Sequence, residues 1–328
     1  MRSGLSKILV TGGAGFIGSA FVRLLLNESS YPRSGLSLIV IDKLTYAGDL
    51  ARLQEVQGKY KFCKADICNK KQIERIFSRE KPGAVINFAA ETHVDRSIVD
   101  ARPFVETNVK GAQVLLDISK KFNIKKFIQI SSDEVYGEII KGRFSEDSPL
   151  KPNSPYAASK AAADLLIRSY IRTYDFPAVI IRPCNNYGPW QYPEKLIPLS
   201  ILRVLRGEKI PLYAKGDNVR EWLYVDDCAQ GILNILKRGK IGETYNLGSN
   251  NEEKNIEVAK MILEIMKLPS GMIEFVRDRP GHDIRYSLNS NKLYNQVKWR
   301  PKVPFYAGLK NTINWYTNHK DWILNNKI

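Results

Sequence analysis

Near its start this chain sets a glycine loop between an apolar run and a helical pattern, and few folds can use that arrangement. Ile8-Leu9-Val10 leads into Thr11-Gly12-Gly13-Ala14-Gly15-Phe16-Ile17-Gly18, and helical spacing continues to about Asn27. The glycines at 12, 15 and 18 serve three separate needs. Gly12 takes a tight turn, Gly15 lets a pyrophosphate approach the backbone, and Gly18 lets the helix pack on the strand. Amides at the helix start, those of Phe16 and Ile17 among them, and the helix dipole favour a negative group there.

Further apolar runs follow at Leu38-Ile39-Val40-Ile41, Ala84-Val85-Ile86-Asn87-Phe88-Ala89, Lys126-Phe127-Ile128-Gln129-Ile130 and Ala178-Val179-Ile180-Ile181, with helix-like stretches between them. Fully apolar strands separated by helices predict a parallel sheet covered on both faces, and right-handed crossovers make it doubly wound. The expected fold class is therefore α/β, a doubly wound parallel (Rossmann) sheet with a smaller C-terminal α/β substrate-binding lobe. After Arg182 the chain becomes rich in Pro and Gly, which marks loops that carry binding work. Residues 1–184 are assigned to the cofactor domain and 185–328 to the substrate domain, with a return segment near 221–246. Trp222-Leu223-Tyr224-Val225 reads as a strand and Asp226 as the cap of a following helix.

Asp42 ends the second apolar run, 24 positions after Gly18. A carboxylate there accepts hydrogen bonds from an adenosine ribose and repels a 2′-phosphate, so the expected cofactor is NAD. Lys43, Leu44 and Thr45 continue that edge, and Asp66-Ile67 after the third strand would flank the adenine. The net charge of +16 is spread along the chain and forms no recognisable nucleic-acid module, so no nucleic acid is expected as partner. No run of about 18 apolar residues occurs, so no membrane span is expected. Met1 to Lys7 lack a secretory apolar stretch, and the four cysteines, Cys63, Cys68, Cys184 and Cys228, lack zinc-site spacing. The reading is a cytoplasmic protein with reduced thiols and no metal.

Tyr156 and Lys160 stand four apart in Ser154-Pro155-Tyr156-Ala157-Ala158-Ser159-Lys160 and share a helical face. A lysine ammonium close by, with a bound nicotinamide cation, favours the phenolate, which can take a proton from a substrate hydroxyl as hydride leaves the same carbon.

The glycine loop and the Tyr-Lys pair together resemble the extended short-chain dehydrogenase/reductases, a family of sugar-nucleotide epimerases, decarboxylases, reductases and dehydratases. Ser131-Ser132-Asp133-Glu134-Val135-Tyr136-Gly137 resembles the signature of the dTDP-glucose 4,6-dehydratases, in which Thr-Asp-Glu precedes Val-Tyr-Gly. Related epimerases usually lack the acid pair. The resemblance implies oxidation at sugar carbon 4, loss of water across carbons 5 and 6, and hydride return to carbon 6. Asp133 would be the acid and Glu134 the base, with separated proton affinities. Ser132 replaces the usual Thr and keeps the hydroxyl that would donate to the sugar.

The resemblance extends over nearly the whole chain. Phe88, Ala89, Ala90, Thr107 and Asn186 fall at cofactor-contacting positions, beside Tyr156 and Lys160. Thr92, Ser132, Asn185, Lys195, Leu196, Pro211, Tyr213, Asn255 and His282 fall at positions that line the nucleotide sugar. Arg220 and Arg279 would clamp the diphosphate, since a guanidinium binds phosphate bidentately. The implied partner is a nucleotide-diphosphate hexose, with the product feeding deoxysugar synthesis such as that of rhamnose. Relatives pair through two long helices, here about 109–122 and 156–174, which implies a homodimer.

Overall fold

Residues 6–27 and 35–325 are described by the structure, a computed structural model. Residues 1–5, part of the stretch read above as lacking a secretory run, lie outside them. β1 (Lys7–Thr11), β2 (Ser37–Asp42), β3 (Lys61–Lys64), β4 (Ala84–Asn87), β5 (Lys126–Ile130) and β6 (Ala178–Pro183) run parallel. β7 (Asn185–Tyr187), β8 (Ile210–Tyr213) and β9 (Val219–Tyr224) follow outside that sheet. β10 (Thr244–Leu247) rejoins it beside β6, and β11 (Glu252–Lys254) and β12 (Ile273–Val276) complete the lobe. The large sheet has the order β10-β6-β5-β4-β1-β2-β3. The chain is thus α/β and doubly wound, and its strand order reverses at β1, where such sheets open a crevice at their carboxyl ends.

Side chains alternate across a strand, and both faces of this sheet are covered, so most positions of its central strands are apolar on both faces. Ile8 and Val10 enter one core with Phe21 and Ile86, while Leu9 enters the other with Ile39, Val85 and Phe127. Each such side chain, fully buried, is worth about 1.5–3 kcal/mol. A third core, around Ile201, Leu212, Trp222, Ile262 and Leu309, holds the lobe together.

The second half of the chain returns twice to the large sheet. The helix Val225–Arg238 packs on the helix Phe16–Asn27, and β10 extends the sheet. Leu288, Leu293, Val297 and Trp299 join the same core, a second return that local sequence pattern did not announce. Asp226 is not the helix cap. Tyr224 occupies the cap position, and Asp226 and Asp227 lie in the first turn, where their charge suits the dipole. The Asp227 carboxylate accepts from the amides of Lys302 and Val303 at 2.8 and 2.7 Å. The predicted helix near 109–122 is a π-helical stretch, Val105–Gly111, followed by an α-helix, Ala112–Lys121. No helix among the described residues is long and apolar enough to cross a membrane.

Candidate functional site

The glycine loop runs from the end of β1 to the helix Phe16–Asn27. Gly12 has φ +66°, and a Cβ there would lie 2.5 Å from the Ala89 amide nitrogen. A Cβ on Gly18 would lie 2.2 Å from the Gly12 carbonyl oxygen. Both positions therefore demand glycine, one for its turn and the other for the helix contact. Gly15 meets only the Gly12 carbonyl, at 3.1 Å, and faces an open cleft. Gly12, Asp42, Lys43, Thr45, Asp66, Ile67, Phe88, Ala89, Ala90 and Thr107 line that cleft with it. Of the sequence-predicted cofactor residues, Phe16, Ile17, Gly18, Leu44, Tyr156, Lys160 and Asn186 are not among its lining. Phe16 and Ile17 open the helix at the cleft's edge, so their amides lack a carbonyl one turn earlier.

Asp42 does more than the ribose role assigned to it. Its Oδ2 accepts from the Ala14 amide at 2.9 Å and its Oδ1 from the Leu44 amide at 2.8 Å, so the carboxylate fastens the glycine loop. Lys43 is paired with Asp66 at 2.7 Å, which engages the cation that otherwise would welcome a 2′-phosphate. Burial pushes Asp66 up, but the hydrogen bonds from Lys43 and the Cys68 amide hold it below the ordinary range. Sequence reasoning missed Ala47, Gly48 and Ala65 in the lining; Asn108, expected beside Thr107 at a cofactor-contacting position, has an amide that grips both backbone groups of Glu91 and the Ser159 hydroxyl. The Tyr46-Ala47-Gly48-Asp49 turn after Asp42 was a usable signal for Gly48. The bracing contacts of Asn108 had no local signal, because its partners are remote in sequence.

The acid pair sits where β5 ends. Ser132 caps the short helix Asp133–Tyr136, and its hydroxyl lies 3.2 Å from both the Glu134 amide and Asp133 Oδ1. Asp133 is buried and Glu134 half-buried. Burial, with Glu134 and Glu221 adding to it, pushes Asp133 well above the carboxylate range. Burial raises Glu134 too, but Arg279, Lys195 and Arg220 pull it back. The two carboxyls thus hold protons unequally, Asp133 the more firmly.

Tyr156 and Lys160 are buried on one face of the helix Pro155–Tyr174, near the acid pair. Lys160 Nζ donates to the Ile130 carbonyl at 2.6 Å, at the end of β5. Burial pushes the Tyr156 phenol well above its ordinary value; Glu134 adds to that, and the Ser132 hydroxyl opposes it. The phenolate expected beside Lys160 and a bound nicotinamide cation is opposed by burial and by the acid pair, and the Lys160 ammonium donates to a backbone carbonyl.

From the lobe side come β7, carrying Asn185 and Asn186, and the helix Leu196–Leu205, with Lys195 at its cap position. Lys195 Nζ donates to the Thr92 carbonyl at 2.7 Å. Tyr213, two residues after Pro211 on β8, donates to Asp95 Oδ2 at 2.9 Å, and Arg279 donates to Asp95 Oδ1 at 3.1 Å. His282 lies against the Tyr213 ring and Asp278. Arg220 differs from its assignment: its terminal nitrogens donate to the carbonyls of Val219, Ile284 and Asp283, so it is held as a buried brace. Several polar atoms are buried without a hydrogen-bond partner among the described residues: Asp133 Oδ2, Asn185 Oδ1, Asn186 Oδ1, Asn255 Oδ1 and Arg279 Nε. Orphaned atoms of this kind need an explanation, and a polar ligand supplies one. The glycine cradle, the cleft beside it and these orphans suit a dinucleotide next to a second polar molecule.

The family described as GDP-mannose 4,6 dehydratase matches residues 9–312. The dTDP-glucose 4,6-dehydratase of Escherichia coli is 43% identical, over 96% of this chain and 95% of the relative. DesIV, the dTDP-glucose 4,6-dehydratase of Streptomyces venezuelae, solved with NAD and TYD bound, superposes with TM-score 0.94 at 45% identity, covering 98% of this chain and 100% of that one. A UDP-glucose 4-epimerase from Thermotoga maritima, solved with UDP-glucose, gives TM-score 0.86 at 31% identity over 96% and 99% of the two chains.

Proposed function

This chain belongs to the GDP-mannose 4,6 dehydratase family and, within it, to the dTDP-glucose 4,6-dehydratases, and on that premise we propose how its residues convert dTDP-glucose to the 4-keto-6-deoxy sugar and water. The observation that carries the reading is the Asp133-Glu134 pair, set beside Tyr156 with unequal hold on protons. NAD, when bound, supplies hydride acceptance at sugar carbon 4 and hydride return to carbon 6, so the reaction is redox-neutral. Gly12, Gly15 and the first amides of the helix Phe16–Asn27 hold its pyrophosphate, and Asp42, Lys43, Asp66 and Ile67 hold its adenosine half.

Ionised with the help of the nearby Lys160 and of the nicotinamide cation that NAD would bring, the Tyr156 phenolate takes the proton of the sugar 4-hydroxyl, and Ser132 orients that oxygen. The carbonyl formed at carbon 4 makes the carbon 5 proton acidic, and Glu134 removes it. Arg279, Lys195 and Arg220 favour the ionised form that Glu134 needs for this step. Asp133 keeps its proton and delivers it to the hydroxyl leaving carbon 6, which departs as water. The proton on Glu134 then returns to carbon 5, and the proton that Tyr156 took from the 4-hydroxyl replaces the one Asp133 gave to the departing water, which balances the reaction.

Purified holoenzyme given dTDP-glucose and no reductant is expected to form the keto sugar, with loss of one water by mass spectrometry and solvent deuterium at carbon 5. Turnover of UDP-glucose in preference would move the assignment of the base; inertness towards every nucleotide glucose, with NAD retained, would refute the reaction. Arg279 is the diphosphate clamp with a free, buried nitrogen. Arg279→Ala is expected to raise KM about 10- to 150-fold, the loss of one charge-assisted hydrogen bond of about 1.5–3 kcal/mol, with a fall in kcat beside it because Glu134 loses one of the cations that keep it ionised. A KM within twofold of the wild type would remove Arg279 from the phosphate site.

The same reading makes the chain a cytoplasmic homodimer whose product enters deoxysugar synthesis such as that of rhamnose. Leu165 and Tyr174, 57% and 51% exposed on the helix Pro155–Tyr174, and Val105, 54% exposed, supply apolar surface for a second copy. The four cysteines are free thiols, as a reducing compartment keeps them.

A further inference from the structure

We propose that Arg52 is a positioning residue of the cofactor site: its buried guanidinium holds three backbone carbonyls from three segments, and so fixes the wall of the cleft in which the dinucleotide is kept. The inference rests on the cofactor placement given above, and extends it to a side chain that does not itself line the cleft.

Arg52 lies on the short 3-10 helix Leu50–Val56, which Asp49 caps by accepting from the Ala51 amide at 2.9 Å. The residue is 1% exposed. Its Nη1 donates to the Ala14 carbonyl of the glycine loop at 2.8 Å, and to the Ala47 carbonyl of the turn after Asp42. Its Nε donates to the Trp190 carbonyl at 3.0 Å. The first two segments belong to the cleft, for Gly12 and Gly15 line it on either side of Ala14, and Thr45, Ala47 and Gly48 line it as well. The third segment comes from the lobe. Gln191, next to Trp190, donates from its side-chain amide to the Asn186 carbonyl at 2.9 Å, so the hold on Trp190 reaches the strand that carries Asn185 and Asn186.

A buried cation whose hydrogen bonds go to neutral carbonyls is a costly way to add stability. A guanidinium nevertheless does here what an apolar side chain cannot, because its planar fork serves several acceptors at fixed angles. The surroundings keep it in place. Asp49 Oδ2 accepts from the Trp322 indole at 2.7 Å, and the guanidinium lies 5.6 Å from the centre of that ring. Trp190 packs against Trp315 and Trp322, at 4.6 and 5.3 Å between ring centres. Trp190 also has φ +71°, a left-handed backbone that a bulky side chain disfavours, and in that conformation its carbonyl meets Arg52. Arg23 Nη1 donates to the Arg52 carbonyl at 2.8 Å, which ties the short helix to the helix Phe16–Asn27. The reaction is redox-neutral, so one cofactor molecule serves many turnovers if the cleft retains it. A wall free to part from the lobe would release it.

The test follows exchange of bound NAD for isotopically labelled NAD on full-length holoenzyme, by rapid desalting and mass spectrometry. Arg52→Met keeps the unbranched stem and removes every donor, and its exchange is expected to quicken about 10- to 100-fold. Arg52→Lys keeps the charge without the fork and should fall between Arg52→Met and the wild type. Leu293→Ala is the control for lost stability. Leu293 is fully buried on the helix Asn291–Val297, beside β10 at the sheet edge remote from β2 and β3. That variant should melt several degrees lower by calorimetry, with exchange within about twofold of the wild type. Wild-type exchange in Arg52→Met, or equal quickening in Leu293→Ala, would overturn the proposal. Should Arg52→Met not fold, Arg52→Lys decides, and a wild-type rate in it would overturn the role given to the fork. Wild-type protein that holds no NAD would overturn the cofactor placement, and the proposal with it. The exchange needs no turnover, so quickened exchange without conversion of dTDP-glucose would refute the reaction and not the part played by Arg52.

Discussion

Glu134→Gln is expected to lower kcat for dTDP-glucose by about 10²- to 10⁴-fold, with KM changed only a few-fold. The substitution keeps the side chain's size and removes its capacity to hold the carbon 5 proton. Oxidation at carbon 4 depends on Tyr156 and should continue, so reduced nicotinamide should accumulate in the presence of substrate and absorb in the near ultraviolet. Exchange of the carbon 5 hydrogen with solvent deuterium should disappear. Asp133→Asn should behave differently. Its Glu134 neighbour can still exchange the carbon 5 proton, but the hydroxyl on carbon 6 has no acid to leave with, so exchange should persist while water loss stalls. The contrast between the two variants is the decisive measurement. Equal loss of exchange in both, or a wild-type rate in Glu134→Gln, would remove the assigned division of labour. That division follows from burial: Asp133 is enclosed and faces Glu134 and Glu221, whereas Glu134 faces three cations.

Gly12→Ala carries the other large effect. A methyl group there would stand 2.5 Å from the Ala89 nitrogen and 2.7 Å from its Cα, both backbone atoms of the neighbouring β4 edge. Neither can rotate away, and the left-handed φ adds about 1–2 kcal/mol for any residue with a side chain. Overpacking of this kind costs about 1–3 kcal/mol or more, a large share of a domain's stability of about 5–15 kcal/mol. The variant is expected to lose at least about tenfold in NAD retained through desalting, and to melt several degrees lower by calorimetry. Gly15→Ala is the control. Its methyl would touch only the Gly12 carbonyl, at 3.1 Å, and project towards the cleft, so folding should survive while NAD retention falls. Full NAD content with an unchanged melting temperature in Gly12→Ala would contradict the close approach of loop and strand.

The contrast between what was legible beforehand and what was not follows physical range. The sheet was legible because covering both faces makes the runs Ile8–Val10, Leu38–Ile41, Ala84–Ile86 and Ala178–Ile181 apolar, a pattern confined to three or four neighbouring residues. The Tyr156-Lys160 face was legible because helix geometry places residues four apart together. Arg220 was harder. Its motif suggested phosphate binding, yet its guanidinium is taken by carbonyls of the 283–284 segment, more than 60 positions away. The second return of the chain at Leu288 to Trp299 and the Asn108 brace were invisible for the same reason: their partners lie far off in sequence.

By itself the sequence determined the period of each element, the glycine spacing that opens a helix to an anion, and the order of chemical groups along each helix face, because these depend on backbone geometry over a few residues. Tertiary structure alone decided which carboxyl is buried against which charge, that Asp42 fastens the glycine loop as well as edging the cleft, and that Asp164 of the helix Pro155–Tyr174 pairs with Arg182 of β6. Proton affinity and hydrogen bonding are set by the dielectric and the neighbours in space, and those are known only once distant segments have been brought together.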